Sequence, residues 1–195
     1  PVAVRLGTTR GTNALLTRRG ARTAFVTTRG FGDILRIGYQ NRPRLFDLVI
    51  RKPDPLFTTV LEIDERVTVD GQVLVPLDAD RVREQLGALR RSSPDIDSLA
   101  ICLVNGYCQT RHEQQVGQLA HEAGFRSVSV SHEVAPLIKL VSRGDTTVVD
   151  AYLNPVLATY VATLRQALGP AADLRLLTSA GGLVEATAFR GKDSV

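Results

Sequence analysis

The chain has 195 residues, with 24 Lys and Arg against 20 Asp and Glu, a net charge of +4. Hydrophobic residues make up 44% and charged residues 23%, a balance that supports a folded core and excludes a disordered chain. The basic residues are scattered, aromatics are only 5% and Trp is absent, which speaks against a nucleic-acid partner that needs clustered cations and stacking rings.

Pro1 runs straight into Val2, Ala3 and Val4 without a basic segment and cleavage site, so no secretory leader is expected. Residues 9–19 read as a short helix closed by Gly20 as its C′ residue. Residues 21–28 carry the β-branched and aromatic content of a strand, followed by Arg29-Gly30 and a short helix over 31–37. Residues 38–58 contain three prolines and little periodicity, which predicts a long loop. Residues 61–69 alternate as a half-buried strand, Asp70-Gly71 signals a hairpin, and 72–75 return.

Residues 78–91 form an amphipathic helix with Val82, Leu86 and Leu89 on one stripe. Residues 99–104 are a continuous apolar run, suited to a strand buried on both faces. Cys102 lies in it and is read as a small buried hydrophobe. With Cys108 it matches neither a disulfide framework nor a zinc pattern, so a reducing cytoplasm and no metal site are expected.

Thr110-x-x-Glu113 predicts a capping box for a helix through His121, with Gly124 at its end, and 127–131 predict another strand. Residues 143–169 look helical, with Asn154-Pro155 kinking one helix or starting a second. The apolar stretch 146–168 is interrupted by Asp150, Asn154, Pro155 and Arg165, and no run reaches the roughly 18–20 residues of a membrane span. Residues 174–177 are a final strand. Strand–helix alternation of this kind predicts an α/β fold, mixed sheets with flanking helices, with a domain boundary between 131 and 143.

Three segments share one chemistry. Gly7, Thr8, Thr9 and Asn13 lie at the start of a helix; Thr27, Thr28 and Arg29 lie at the carboxyl end of a strand; Ser179, Gly181 and Gly182 follow another strand. Glycine lets a ligand approach the backbone, hydroxyls donate hydrogen bonds and Arg supplies charge, a combination suited to an anion. Taken alone, each segment reads first as a cap or a turn. None is a Walker loop or a Gly-x-Gly-x-x-Gly fingerprint. Of three histidines, His132 in Ser131-His132-Glu133-Val134 is the candidate for a catalytic role, beside a purely structural reading.

Taken in order, these segments resemble the hydantoinase A/5-oxoprolinase family. The resemblance rests on Gly7-Thr8-Thr9 with Thr12-Asn13-Ala14-Leu15-Leu16, on Val26-Thr27-Thr28-x-Gly30-Phe31, and on Asn41-Arg42-Pro43 and Pro76-Leu77-Asp78. It continues through Ser131-His132-Glu133-Val134, Thr146-Thr147-Val148-Val149 and Ser179-x-Gly181-Gly182. It implies an actin-like, ribonuclease H-like ATPase fold of the sugar kinase–actin type, incomplete at both ends. Residues 1–135 would be the remainder of an N-terminal domain and 136–195 the start of the next.

The resemblance further implies ATP with Mg²⁺, a cyclic amide of the hydantoin or 5-oxoproline type, a B-type partner subunit and an oligomer. The implied reaction is hydrolysis through phosphoryl activation of a carbonyl, with this stretch inactive alone. A divergent scaffold subunit and a sugar-kinase-like phosphotransferase are the alternatives. The chain departs from the family pattern at Leu6, where a His is usual, and at Asp150, where an Asn is usual.

Overall fold

A computed structural model describes residues 2–39, 46 and 52–195. Asn41, Arg42 and Pro43, and much of the expected 38–58 loop, lie outside the described residues. In chain order the elements are β1 (Ala3–Leu6), α1 (Arg10–Leu16), β2 (Thr23–Thr28), α2 (Ile34–Ile37), β3 (Phe57–Ile63), β4 (Arg66–Val67) and β5 (Val73–Val75). There follow α3 (Ala79–Ser92), β6 (Ser98–Cys102), α4 (Arg111–Glu122), β7 (Ser127–Val130), α5 (Ser131–Val134), α6 (Leu140–Leu168), β8 (Asp173–Leu177), β9 (Leu183–Glu185) and a 3₁₀ turn over Gly191–Asp193.

Four strands form a parallel sheet in the order β3-β2-β6-β7. Its two central strands are buried on both faces, and alternation decides what each face meets. Ala24, Val26, Leu99 and Ile101 face Val82, Leu86 and Leu89 of α3 and Val116, Leu119 and Ala120 of α4. Phe25, Ala100 and Cys102 face Val148 and Ala151 of α6. Burying each large aliphatic side chain here is worth about 1.5–3 kcal/mol, which places the main stabilisation in this three-layer core.

The second sheet has the order β1-β8-β9, with β1 parallel and β9 antiparallel to β8. Its Leu174 and Leu176 pack with Ala14 of α1 and with Tyr152, Leu153, Leu157 and Val161 of α6. The 29-residue α6 therefore contributes to the cores of both sheets. Residues 3–6, early in the chain, lie in one sheet with residues 173–185.

Several local expectations are corrected. Pro155 neither ends nor restarts α6, which runs unbroken from Leu140 to Leu168. A proline deprives the carbonyl four residues earlier of its donor. That carbonyl, on Ala151, accepts instead from the buried Ser98 hydroxyl of β6 at 2.6 Å. The next carbonyl, on Tyr152, accepts from the Ala21 amide at 2.9 Å.

Helix α1 ends at Leu16 rather than near residue 19, because Arg18 adopts the left-handed conformation at φ 56°. The Arg19 amide then bonds the Ala14 carbonyl at 2.9 Å, and Arg18 that of Leu15 at 3.2 Å, a Schellman-type closure. Gly20 serves a different purpose, since a Cβ there would lie 2.1 Å from the Tyr152 ring. The expected strand over 61–69 is two strands: β3 pairs in parallel with β2, and β4 pairs with β5 across the Asp70-Gly71 turn. The helix expected over 31–37 is only one turn, Ile34–Ile37.

Candidate functional site

The first candidate region is the carboxyl edge of the smaller sheet. Leu6 of β1 is in register with Leu176 of β8, so two chain segments leave neighbouring parallel strands side by side. One is residues 7–9, leading into α1. The other is residues 178–182, which turn β8 back into β9. Two of the three Gly/Thr segments, about 170 residues apart in sequence, thus meet at one edge.

This edge offers donors. Among the described residues the N–H groups of Gly7, Thr8, Thr9 and Ala180 have no hydrogen-bond partner. The Thr8 hydroxyl accepts from the Arg10 amide at 3.2 Å, and Asn13 Nδ2 reaches the Thr9 hydroxyl at 3.4 Å. The second turn is held by its own bonds: Thr178 N–H to the Gly182 carbonyl at 2.8 Å, and Gly182 N–H to the Thr178 hydroxyl at 3.1 Å. Gly181 sits at φ 84°, a conformation that favours glycine, and a Cβ there would meet no atom within 4 Å. Both segments are exposed or half-buried and open to an anion.

The third segment lies elsewhere and is already occupied by the protein itself. Thr27 and Thr28 end β2 in the larger sheet and are fully buried. The Thr27 hydroxyl donates to the Cys102 carbonyl at 2.9 Å. The Thr28 hydroxyl donates to Glu65 and accepts from the Val104 amide at 3.0 Å. Arg29 pairs with Asp64 at 2.5 Å. The backbone donors that would cradle an anion, Gly30 and Gly32 N–H, both go to Glu62 Oε1 at 2.9 and 2.8 Å. Internal carboxylates therefore fill the places an anionic ligand would take at this edge.

A buried polar cluster completes that edge. Glu113 is fully buried and accepts from the Leu103 amide at 2.8 Å, the Ser131 hydroxyl at 2.5 Å, and His132 through its amide at 3.0 Å and Nδ1 at 2.8 Å. The expected capping box is thus absent: Thr110 makes no side-chain cap, and Glu113 turns into the core. The hydrogen bond to Glu113 raises the His132 pKa above its ordinary value, against the opposing effect of burial. His112 meets the buried Glu65 at 2.7 Å. Arg143, fully buried, donates to the Leu137 carbonyl at 3.0 Å, to the Leu103 carbonyl, and to Cys102 Sγ at 3.4 Å. Burial pushes the Cys102 thiol up to about 11, against the lowering effect of Arg143.

Sequence reasoning missed Glu65, Arg143 and Asp150 as buried groups. The available signal was helical spacing: Arg143, Thr147 and Asp150 fall on the same face of α6 as Ala151 and Leu153 neighbours of the core. Glu113 likewise shares the stripe of Val116 and Ala120. No group of three metal-ligating side chains occurs among the described residues. No helix among them is long and apolar enough to cross a membrane.

Comparison with known proteins agrees with this architecture. Residues 2–124 match the hydantoinase/oxoprolinase N-terminal region, and residues 143–195 match the hydantoinase/oxoprolinase domain. The 5-oxoprolinase of Saccharomyces cerevisiae is 39% identical over 99% of this chain, which spans 17% of that protein. Caprolactamase subunit alpha of Pseudomonas jessenii is 30% identical over 94% of the chain, which spans 27% of it. The crystal structure of the ATP-dependent caprolactamase from Pseudomonas jessenii superposes with a TM-score of 0.83 at 27% identity, covering 97% of this chain and 28% of that one. The mixed α/β architecture expected from the sequence is that of the actin-like fold. The chain belongs to the hydantoinase/oxoprolinase family.

Proposed function

We propose that the protein to which this chain belongs is an ATP-dependent hydrolase of cyclic amides, with residues 7–9 and 178–182 facing the phosphates of the nucleotide. One observation carries the placement. Two Gly/Thr segments leave paired parallel strands at one edge with unpaired N–H groups, in a chain 39% identical to a 5-oxoprolinase. The larger sheet supports the same placement by exclusion, since Glu62, Glu65 and Glu113 already hold the donors at its edge.

ATP, when bound, would supply the phosphoryl group that turns a poorly electrophilic amide carbonyl carbon into one open to attack by water, with the ring nitrogen leaving as the amine. The chain's own contribution is positional. N–H groups of Gly7, Thr8, Thr9 and Ala180 are suited to receive phosphoryl oxygens, where fixed donors stabilise growing negative charge. Gly181 and Gly182 allow close backbone approach, Ser179 adds a hydroxyl, and Asn13 orients the Thr9 side chain. Thr27, Thr28 and Arg29, in the larger sheet, serve as buried or ion-paired supports. His132 retains Nε2 without a partner among the described residues and fits a proton-transfer role apart from the phosphates. Mg²⁺ enters this reading with the nucleotide, and no residue described here is assigned to it.

A B-type partner subunit and a cytoplasmic location belong to the same proposal. The subunit is motivated by the relative named caprolactamase subunit alpha. The deciding experiment measures ADP release by the full-length protein with 5-oxoproline, hydantoin or caprolactam, and identifies the product by mass. A ring-opened, unphosphorylated product is expected. A phosphorylated product would replace the hydrolase by a kinase-like transferase, and a folded protein without amide-dependent turnover would make it a scaffold.

A further inference from the structure

The buried Asp150 touches neither segment of the candidate site, yet it holds a turn that bonds one segment and packs on the helix that follows the other. It is fully buried on α6 and its carboxylate accepts three hydrogen bonds. Oδ2 receives the Ser129 hydroxyl and Asn154 Nδ2, both at 2.8 Å, and Oδ1 receives the Lys192 amide at 2.9 Å. Asn154 Oδ1 in turn accepts from the Gly191 amide at 2.7 Å. Two side chains one helical turn apart thus fix consecutive amides of the 3₁₀ turn over Gly191–Asp193. The fit is close enough that a Cβ on Gly191 would lie 2.7 Å from the Asp150 carbonyl oxygen.

That turn reaches residues 178–182 on one side and the first turn of α1 on the other. The Asp193 carbonyl accepts from the Ser179 amide at 2.8 Å, anchoring the residue next to the unpaired Ala180 N–H. On the other side, Ser194 packs so tightly on α1 that a Cβ on Gly11 would lie 2.1 Å from its hydroxyl oxygen. The Ser194 hydroxyl itself is held by the Gly191 carbonyl at 2.8 Å. Ser129 ties Asp150 to β7 of the larger sheet.

We propose that Asp150, with Asn154, is a positioning residue for nucleotide binding: through the 191–194 turn it sets the geometry of residues 178–182 and of the α1 end beside residues 7–9. This rests on the reading that those residues face phosphate. Asp150 and Asn154 together hold two consecutive backbone amides, and this fixes the turn more narrowly than packing alone, because those amides would otherwise be left unpaired.

The test uses the full-length protein with Asp150→Ala, Asp150→Asn and Asn154→Ala. Two readouts are taken: hydrogen exchange at the amides of 178–182, and the KM for ATP against kcat. Asp150→Ala is expected to speed exchange in 178–182 and to raise the ATP KM by about tenfold, in the range typical of a lost buried hydrogen-bond set, with a smaller change in kcat. Asp150→Asn, which keeps an acceptor for the Lys192 amide, is expected to recover most of both. Should Asp150→Ala fail to fold, Asn154→Ala gives the same pattern more weakly.

Unchanged exchange in 178–182 in folded variants overturns the positioning role. Faster exchange with an unchanged ATP KM overturns the link to nucleotide. Faster exchange in the variants of a parent protein that binds no ATP leaves the mechanical coupling standing and removes the phosphate reading instead.

Discussion

Glu113 and Arg143 hold the same residue through its two flanking peptides: the Leu103 amide donates to Glu113 Oε1 at 2.8 Å, and the Leu103 carbonyl accepts from the Arg143 guanidinium. Both side chains are fully buried, and Leu103 begins the loop after β6. Arg143 also holds the Leu137 carbonyl at 3.0 Å, so its removal strands two carbonyl acceptors, that of Leu103 in the core. Arg143→Met is expected to destabilise the fold by about 2–4 kcal/mol in chemical denaturation. A loss below about 1 kcal/mol, the level of a surface pair, would show that the loop is held by other means.

The Glu113–His132 contact predicts a signed pH dependence. The folded-state pKa of His132 is raised, chiefly by its hydrogen bond to Glu113. Its contribution to stability is therefore fully present below the unfolded value of about 6.5 and fades as pH rises through the folded value. The stability difference between the parent and His132→Gln should be largest near pH 5–6 and shrink toward alkaline pH. Glu113→Gln should flatten that trend. A difference that is constant with pH in both backgrounds would mean that the proton on His132 contributes nothing.

The two cysteines should separate sharply in reactivity. Cys102 is buried with its pKa pushed up to about 11, whereas Cys108 is exposed. Since thiolate is the reacting species, alkylation of the folded chain at pH 8 should label Cys108 and spare Cys102 until denaturant is added. Labelling of both at similar rates, mapped by peptide mass, would contradict the packing of Cys102 between β6 and α6.

Gly181 offers a prediction that separates folding from binding. At φ 84° an alanine is strained by roughly 1 kcal/mol, yet its Cβ would meet nothing within 4 Å. Gly181→Ala should therefore cost little stability while weakening ATP binding several-fold, through the obstructed approach to the backbone of 178–182. Equal ATP affinity in the variant would remove this turn from the phosphate site.

The apolar skeleton was legible because it follows from periodicity. The stripe Val82, Leu86 and Leu89 is buried as expected, and Asp70-Gly71 does turn β4 into β5, with Gly71 at φ 88°. The buried polar framework was not legible, because its partners are remote in sequence: Thr28 with Glu65, Leu103 with Glu113, Ser129 with Asp150. The Thr110-x-x-Glu113 pattern illustrates the limit. Its local interpretation competes with four tertiary donors, and the tertiary donors win. For the candidate site, the three Gly/Thr segments were visible. Which two of them meet depends on the β1–β8 pairing, which no local pattern encodes.

Pro155 within α6 depends on a single hydroxyl, and this gives the sharpest stability test. The Ala151 carbonyl lacks a helical donor because Pro155 has no N–H, and the Ser98 hydroxyl replaces it at 2.6 Å inside the core. Ser98→Ala should leave that carbonyl unsatisfied and cost about 1–3 kcal/mol. The double variant Ser98→Ala/Pro155→Ala restores a backbone N–H to the helix, so its cost should be smaller than that of Ser98→Ala alone, a non-additivity readable in a double-mutant cycle. Additive losses would mean that Ser98 serves packing alone and that α6 accommodates its proline without help from β6.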